Sequence, residues 1–352
     1  MKTHASIKDI ARLARVSVST VSRVLNHHPD ASQEAREKVS QAVDLLKYRP
    51  NSRARQLAKK TAETICLVLS NREVINAFHA RILMGVERCA KARGRNLIFV
   101  RLDYSPDTAA DALALPSVIM ERSAVDGLIV AGTNHLNFIE ALRALEVPFV
   151  VFSNNLSARN DISNLHAVGF DSVDGTRQAT EYLLGLHHRN IWCIADISLP
   201  WYARCYEGYS KAMQHATLQP RRVNLAQRGS PFNYGRECAA SLLDQKQPVT
   251  AIVAGDDEVA LGVLAAMGER GLRAPEHLSV VGFDDLEELQ YCRPALTTVR
   301  VDREKVGEEL AKLLFERLET PRMPPVQRLL PTQLVVRETC APPPPQTVGK
   351  SG

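Results

Sequence analysis

The feature that most constrains the fold of this chain is an alternation, from residue 64 onward, of short apolar runs with amphipathic helical stretches. The apolar runs predict strands at residues 65–69, 97–101, 127–131, 149–152, 191–195, 251–254 and 279–282. The intervening helical patterns occupy residues 78–93, 135–145, 174–187, 204–216, 233–244 and 257–270. Strand–helix repetition with connections of this length predicts parallel sheets with right-handed crossovers. About twelve such units exceed one comfortable sheet, so we expect two.

The first sixty residues follow a different pattern, in which three short helical segments replace the strand–helix alternation. Ser6 with Asp9 three residues later predicts the start of one helix, and Ser17 predicts the start of a second. A third helix is predicted over residues 32–47. The apolar spacing predicts a small core of Ile10, Leu13, Val21, Val24, Val39 and Val43. We therefore expect an all-α helix-turn-helix module.

The positive charge of the chain is concentrated in this N-terminal module. Residues 1–60 hold 13 lysines and arginines against 5 aspartates and glutamates, whereas the rest of the chain holds 31 against 34. A compact basic module favours a polyanionic partner, because each Lys or Arg placed on a phosphate releases condensed counterions. A solvated basic face is the alternative that charge alone leaves open.

The remaining composition predicts a cytoplasmic globular protein. Hydrophobic residues make up 45% of the chain and charged residues 24%, which argues against a disordered, fibrous or membrane protein. The N-terminus lacks the apolar run of a signal peptide, and no stretch approaches the roughly 20 apolar residues that span a bilayer. The seven cysteines form no CxxC pair. We therefore expect reduced thiols, no metal and no cofactor.

The sequence IKDIARLARVSVSTVSRVLN at residues 7–26 resembles the head of the LacI/GalR family of transcription regulators, and residues 48–51 and 54–58 resemble its hinge. The resemblance implies an N-terminal helix-turn-helix head over residues 1–50 and a hinge helix over 51–62. A bilobed periplasmic-binding-protein-like α/β domain with two doubly wound parallel sheets is implied over 63–340.

The resemblance also implies that both lobes of this larger domain are discontinuous in sequence. The N-lobe is expected at about 63–163 plus 293–322, and the C-lobe at about 164–292 plus 323–340, so that the pair can open and close like a hinge. The proline-rich residues 341–352 are expected to form a disordered tail without apolar heptads. The chain should therefore stop at a homodimer, whose two-fold symmetry predicts a near-palindromic operator in double-stranded DNA.

The same resemblance implies which head residues contact DNA. Base contacts fall on Val18, Ser19 and Arg23 of the second helix, and an apolar wedge between base steps falls on Leu57 in the hinge. Arg23 can donate two hydrogen bonds to a guanine edge, with a phosphate contact or an ordinary surface charge as the alternative. Contacts to the DNA backbone are expected from Ser6, Ser17, Thr20, Asn26, Tyr48 and Asn51.

Ligands of open parallel sheets bind beyond the carboxyl ends of the strands, so polar and aromatic residues there mark a candidate effector cleft. Strand ends and the resemblance together nominate Phe78, Phe170, Trp201, Arg204, Asp256 and Asp284. Asp256 replaces the Asn of most relatives, and Cys205 occupies the position of their Arg, with Arg204 one residue earlier. The expected effector is a sugar or related metabolite. A helix cap at Asp284 and lobe packing at Trp201 are the alternatives.

Two other functions compete with an effector-controlled DNA-binding regulator, most simply a repressor. Asp256–Asp257 and Asp284–Asp285 could be paired carboxylates of a carbohydrate-acting enzyme, but no GxSxG, HExxH, GxxxxGK[ST] or GxGxxG motif is present. A sugar-binding protein would share the bilobed fold. The fused basic head argues against both, and we expect no enzyme.

Overall fold

The computed structural model describes residues 5–25, 30–48, 61–72, 76–121, 123–156, 163–223, 225–226, 229–245 and 248–344. The chain divides into two compact units, Met1–Ala62 and Glu63–Gly352. Three predicted DNA contacts, Asn26, Asn51 and Leu57, lie outside the described residues, as does most of the predicted tail.

The first unit contains three helices, each of which follows a serine. They are α1 Ile7–Ala14, α2 Val18–Leu25 and α3 Gln33–Leu45. The backbone N–H and the hydroxyl of Ser6 both donate to Asp9 Oδ2, at 2.9 and 2.7 Å. Ser17 Oγ accepts from the Thr20 N–H at 3.0 Å, and Ser32 Oγ accepts from the Ala35 N–H at 3.2 Å. The predicted starts of all three helices are confirmed.

The core of this unit differs in part from the sequence prediction, and Val43 packs against it only partly buried. Ile10, Val21, Val24 and Val39 are buried as expected, together with small alanines from α1 and α3. Leu13 is 46% exposed, so its predicted place in the core is wrong. The reason is the short α1, whose inward side is already filled by Ile10 and by two alanines, Ala11 and Ala14.

The second unit alternates strands and helices along the chain. In order, its elements are β1 Thr64–Ser70, α4 Ala77–Ala92, β2 Asn96–Leu102, α5 Ser117–Met120, β3 Gly127–Gly132, α6 Leu136–Ala144, β4 Phe149–Phe152, β5 Ala167–Phe170, α7 Ser172–Gly185, β6 Ile191–Ile194, α8 Pro200–His215, α9 Pro231–Asp244, β7 Ala251–Ala254, α10 Asp257–Gly268, β8 Ser279–Asp284, β9 Thr297–Arg300, α11 Arg303–Glu319, β10 Gln327–Leu330 and β11 Gln333–Val335. The seven predicted strands and six predicted helices are confirmed with boundaries shifted by a few residues.

The strands form two sheets, as predicted. The first has the order β10-β5-β4-β3-β1-β2 and is parallel throughout. The second has the order β11-β9-β8-β7-β6, and its edge strand β11 runs antiparallel to β9. This strand departs from the prediction that both sheets are wholly parallel. It follows β10 of the first sheet after only two residues, too few for the helical connection that would carry the chain to the end of the second sheet where the parallel strands begin.

The chain crosses between the sheets at three places, each later than predicted. The crossings lie at Asp171, at residues 301–302 and at residues 331–332. Sheet membership sets these limits: β5 and β10 pair with each other in the first sheet, and β9 pairs with β8 in the second. The predicted lobe boundaries at 163, 293 and 323 are therefore corrected. Strands of four residues with mixed polarity are too short to be distinguished from loops by sequence pattern.

Close helix packing completes the first lobe. A β-carbon at Gly307 of α11 would lie 2.0 Å from the carbonyl oxygen of Ile82 in α4, and one at Gly85 of α4 would lie 2.0 Å from that of Glu304. The two glycines thus let the helix backbones approach without a side chain between them. No helix in the part of the chain that the structure describes is long and apolar enough to cross a bilayer.

The close approach of α4 and α11 predicts that alanine substitutions at two helical glycines differ in their effect on stability. Gly307→Ala should lower the free energy of unfolding by about 1–3 kcal/mol, because the methyl group overpacks a backbone contact. Gly185→Ala in α7 is the matched control, since no atom lies within 4 Å of its added β-carbon. Its stability should stay unchanged or rise by up to ~1 kcal/mol through helix propensity. Urea denaturation measures both, and equal effects would contradict the packing argument.

Candidate functional site

The second helix of the head exposes one polar side. Val18 is 42% exposed, and Ser19 and Arg23 are also exposed, whereas Val21 and Val24 of the same helix are buried. The structure therefore brings the three predicted base-contacting residues onto the outward side of α2. The arginine supplies a long cationic donor, and the small Val18 and Ser19 leave room for a groove edge to approach.

The predicted DNA-backbone contacts that are described lie at helix starts and beside the head core. Ser6 precedes α1 and is exposed. Ser17 and Thr20 lie at the start of α2, where their hydroxyl oxygens are 2.8 Å apart. Tyr48 follows α3, is half-buried against the head core, and its N–H donates to the Val43 carbonyl at 2.9 Å. Hydroxyls and helix N-termini of this kind are common phosphate ligands.

The larger unit contains a cavity where the carboxyl ends of strands from both sheets meet. Its empty volume, which includes the open solvent at its mouth, is about 710 Å³. Segments following β1, β4, β5, β7 and β8 and the starts of α4, α8 and α9 form its walls. The lining residues are Arg72, Asn76, Phe78, His79, Asn155, Phe170, Ser172, Trp201, Tyr202, Cys205, Pro231, Gly255, Asp256, Glu258, Phe283, Asp284 and Leu286.

Aromatic rings from both lobes form the apolar part of the cavity wall. Phe170 at the end of β5 stacks on Phe283 of β8 with centroids 6.0 Å apart and ring planes at 29°. Phe78 of α4 lies 5.9 Å from Phe170 on the other side. Three of the predicted effector contacts, Phe78, Phe170 and Trp201, thus line one cavity. Ring faces of this kind pack well against the C–H faces of a sugar or a planar base.

Asp256 is both a helix cap and a cavity residue. Its Oδ1 accepts from the Val259 N–H at 2.7 Å at the start of α10. Its Oδ2 accepts from the Tyr202 hydroxyl at 2.5 Å, which joins α10 to the start of α8. Burial raises the pKa of the Asp256 carboxyl, and these two hydrogen bonds act against that rise. Part of its acceptor capacity is therefore already used by the protein.

Asp284 ends β8 with a strained backbone and an open side chain. Its φ of 113° is in the left-handed region that side chains other than glycine rarely adopt. None of the described residues donates a hydrogen bond to its carboxylate, and it lines the cavity. Burial, with the charges of Asp257 and Asp256, raises its pKa well above the ordinary value. A strained, partner-free carboxyl in a cleft is typical of a ligand contact.

The two neighbouring aspartates have structural roles. Asp257 is fully buried and accepts from the Leu286 N–H at 2.9 Å and the Thr298 hydroxyl at 2.5 Å. Asp285 accepts from Arg300 and Arg337 at 2.6 and 2.5 Å. Neither residue lines the cavity. The geometry therefore argues against the pairs Asp256–Asp257 and Asp284–Asp285 as acid–base pairs, because one member of each is bound within the protein.

Arg72, which follows β1, carries positive charge into the cavity. Its guanidinium lies 4.1 Å from the centre of the Trp201 ring of the second lobe. Its Nε is buried and has no hydrogen-bond partner among the residues that the structure describes. Burial lowers its pKa, while Tyr202, Asp256, Glu258 and Asp284 act in the opposite direction. The side chain thus spans the two lobes and faces the carboxyl groups of the second.

His79 lines the same cavity in a neutral form. Burial, reinforced by the charge of Arg72, lowers the pKa of His79 to about 3. Nδ1 lies 2.7 Å from Asn76 Oδ1, and Nε2 lies 3.4 Å from the Asn155 amide nitrogen. These partners assign the proton to Nδ1, which donates to Asn76, while Nε2 accepts from Asn155. His79 therefore contributes no charge to the cavity.

Arg204 points away from the cavity that its neighbours line. Its Nη1 donates to the Asn154 carbonyl at 2.7 Å, and its Nη2 donates to the Ser153 carbonyl at 3.3 Å. Both carbonyls follow β4 of the first lobe, so Arg204 links the lobes. Cys205 does line the cavity, with Sγ 3.6 Å from the Gly255 carbonyl oxygen. Arg204 was predicted to contact the effector, but its guanidinium binds backbone carbonyls and does not line the cavity.

The cavity residues that were not singled out from sequence include Arg72, His79, Asn155 and Glu258. Arg72 follows β1 by two residues, so the strand-end rule applied to the first strand would have found it. Glu258 lies beside Asp256 in the same strand-end segment. His79 and Asn155 had no pattern to mark them, because only the meeting of α4 with the end of β4 brings them together.

Comparison with known proteins gives matches for both units. Residues 6–51 match the family described as bacterial regulatory proteins, lacI family. Residues 180–340 match a periplasmic binding protein-like domain. The HTH-type transcriptional repressor PurR of Haemophilus influenzae (strain PittEE) is 30% identical over 317 residues, which cover 89% of this chain and 91% of that protein. The HTH-type transcriptional repressor CytR of Escherichia coli (strain K12) is 28% identical over 340 residues, 96% of each.

Solved structures match over nearly the full chain. The Lac repressor dimer bound to operator and the anti-inducer ONPF superposes with a TM-score of 0.82 at 27% identity, covering 96% of this chain and all of that chain. A complex of the transcriptional regulator CelR with cellobiose gives a TM-score of 0.70 at 26% identity, covering 95% of this chain and 99% of that chain.

The buried Asp257 predicts a pH-dependent stability. Burial raises its pKa from the ordinary 3.8 to about 8, so the folded state holds the proton more tightly than the unfolded state. The stability that this provides is present below about pH 4 and is lost as the pH rises towards about 8. In urea denaturation, the difference in unfolding free energy between wild type and Asp257→Asn should therefore fall as the pH is raised from about 5 to about 8.

Asp244→Asn is the control for this experiment. Asp244 is exposed and bound to Arg270, which lowers its pKa. Its contribution changes only when the pH falls below the ordinary aspartate range, so its difference from wild type should stay flat over the same interval. A flat difference for Asp257→Asn as well would show that the proton on Asp257 is not linked to folding.

Proposed function

Since this chain belongs to the LacI family of bacterial regulatory proteins, we propose that it is a transcriptional repressor that binds a near-palindromic operator as a homodimer under the control of a small metabolite. The family membership and the DNA-binding character rest on the matched head, the PurR relative and the Lac repressor fold. The observation that carries the rest is the presence, in one chain, of an exposed α2 side and a polar cavity between two lobes.

The head reads DNA with the exposed side of α2. Arg23 donates to a guanine edge, Ser19 bonds a neighbouring base, and Val18 contacts a thymine methyl group or fills space. Phosphate contacts come from Ser6, Ser17, Thr20 and Tyr48, with Asn26 and Asn51, and they fix the register of the head without reading sequence. In the hinge, Leu57 enters the minor groove as a wedge. These assignments are supported by the exposure of Val18, Ser19 and Arg23.

The effector binds in the cavity between the lobes. Asp256 and Asp284 accept hydrogen bonds from hydroxyl groups, and Phe78, Phe170 and Trp201 cover the apolar faces of the ligand. This pattern suits a sugar or a sugar derivative, since sugars combine donor hydroxyls with C–H faces. The structural neighbour CelR was solved in complex with cellobiose, and a bound sugar there agrees with this ligand class. The named relatives PurR and CytR are repressors, which favours binding without turnover.

Control of DNA binding follows from links that span the cleft. Two contacts hold the second lobe to the first. The Arg72 guanidinium stacks on the Trp201 ring, and Arg204 donates hydrogen bonds to the carbonyls of residues 153 and 154. A ligand that binds one arrangement of the lobes better than another shifts the population towards it. The shift changes the spacing of the two N-lobes in the dimer and so the ability of the paired hinges to fold on DNA. Coupling is reciprocal, so operator DNA changes effector affinity by the same factor.

The DNA-reading side predicts the outcome of a site selection. Binding sites selected from random duplexes by the purified protein should contain an inverted repeat, and binding to them should weaken steeply with salt. Arg23→Ala should weaken specific binding by about 1–3 kcal/mol and relax the preference at one position of each half-site. Arg12→Ala is the control, because Arg12 is an exposed arginine on α1. Selected sequences without an inverted repeat would refute the dimeric operator.

The cavity predicts that Asp284→Asn loses its response to the effector while its DNA binding is kept. A thermal-shift panel of sugars, sugar acids, polyols, amino sugars and nucleobases should identify a ligand that stabilises the wild type, because binding to the native state raises stability. The same ligand should change operator affinity. Asp284→Asn should lose both responses and keep its ligand-free operator affinity. A ligand response that survives in this variant would place the effector elsewhere.

A further inference from the structure

The carboxyl groups of the cavity outnumber its cations. The second lobe contributes Asp256, Glu258 and Asp284 to the lining, whereas Arg72 is the one Lys or Arg among the described lining residues. His79 is neutral and adds nothing to this balance. An excess of buried negative charge is costly unless a ligand, a proton or a counterion compensates for it.

Among the described residues, two of the three carboxyl groups have no hydrogen-bond donor that would compensate for their negative charge. Asp256 already accepts from Tyr202 and from the Val259 N–H. Within the described part of the chain, by contrast, neither Asp284 nor Glu258 has a hydrogen-bond donor for its carboxylate. Both carboxyl groups line the same cavity, and the charge of Glu258 acts to raise the pKa of Asp284. Two open acceptors in one cavity form a site for a shared positive charge.

Arg72 defines the second requirement on the ligand. Its guanidinium is stacked on the Trp201 ring, so its position is held by the second lobe rather than by a carboxylate. Among the described residues its buried Nε has no acceptor, which is costly unless the ligand supplies one. Because an anionic acceptor would add to the negative charge already present, a hydroxyl oxygen meets this requirement better than a carboxylate or a phosphate.

We propose, building on the proposed function, that the effector is a small polyhydroxylated amine whose ammonium group binds Asp284 and Glu258 and one of whose hydroxyl oxygens accepts from Arg72 Nε. The aromatic wall of Phe78, Phe170 and Phe283 then covers its C–H face. A neutral sugar would leave the negative charge uncompensated, and a sugar acid would increase it. No group of three or more His, Cys, Asp or Glu side chains among the described residues is arranged to hold a metal ion, so an organic cation takes this place.

The pH dependence of binding has a defined sign. Burial raises the pKa of both Asp284 and Glu258, and the charge of Asp256 adds to the rise for both. Asp257 and Glu258 also raise the pKa of Asp284, and Glu288 raises the pKa of Glu258. Arg303 acts against the rise at Asp284, and Arg72 acts against it at Glu258. An ammonium ligand favours the ionised carboxylates, so binding releases protons and affinity falls as the pH is lowered. A neutral ligand held by protonated carboxyls would show the opposite trend.

Matched ligands test the proposal by isothermal titration calorimetry on the full-length protein. D-Glucosamine, D-galactosamine, D-mannosamine and 1-amino-1-deoxy-D-glucitol are each compared with the parent sugar or polyol and with the N-acetyl derivative. At least one amine should bind roughly tenfold or more tightly than both of its neutral counterparts, which corresponds to one charge-assisted hydrogen bond. Its affinity should fall as the pH is lowered.

Variants then connect the preference to the named carboxyl group. Glu258→Gln should remove most of the preference for the amine, so that the amine and its neutral counterpart bind with similar affinity. Glu269→Gln is the control, since Glu269 is exposed and paired with Arg236 outside the cavity. Equal binding of amine and parent, tighter binding of D-gluconate or D-glucuronate, or no binding of any amine would each overturn the proposal. Site selection and Arg23→Ala use no effector, so they test the proposed function independently.

Discussion

The effector cavity depends on the way two short segments cross between the lobes side by side. The Asp171 N–H donates to the Leu330 carbonyl at 2.9 Å, and the Thr332 hydroxyl donates to the Asp171 carbonyl at 3.1 Å. These bonds hold the ends of β5 and β10 together at the point where the chain leaves the first sheet. The carboxyl ends of strands in both sheets consequently face one cleft, which is where parallel sheets bind ligands. Without this arrangement, Phe170 and Phe283 would not meet.

The two lobes contribute opposite charges to this cleft. Asp256, Glu258 and Asp284 come from the second lobe, and Arg72 comes from the first. Attraction between them favours a closed arrangement, and stacking of the guanidinium on Trp201 adds to it. A ligand that neutralises the acidic side changes this attraction as well as filling the space. Ligand charge and lobe position are therefore linked through the same few side chains.

Much of this fold could be predicted from sequence because its central strands are buried on both faces. β1 is buried along its whole length, and β3, β4 and β7 are equally apolar, so each appears as an uninterrupted run. The equally short strands β9, β10 and β11 were harder to assign to a sheet because polar residues interrupt them, and β5 contains a glycine. Their pairing is set by partners far away in sequence, and the predicted lobe boundaries were misplaced for that reason.

The candidate site was predictable where chemistry lies directly at a strand end. Asp256, Asp284 and Phe170 were found in this way and all line the cavity. Arg204 shows the limit of the approach, because one residue along a helix rotates a side chain by about 100° and so to another face. Its guanidinium bonds the carbonyls of Ser153 and Asn154, while the adjacent Cys205 faces the cavity. Sequence spacing could place the pair at the lobe interface but could not choose between the two directions.

The discontinuous lobes also determine the order in which the parts of this protein can form during synthesis on the ribosome. The helices of the head are complete once Leu45 has been made. The first sheet, by contrast, receives its last strand only with Gln327–Leu330, and α11 covers it only after Glu319. The nascent chain therefore carries a finished head long before either lobe can close. A prematurely terminated chain would present a DNA-binding module that no metabolite can control.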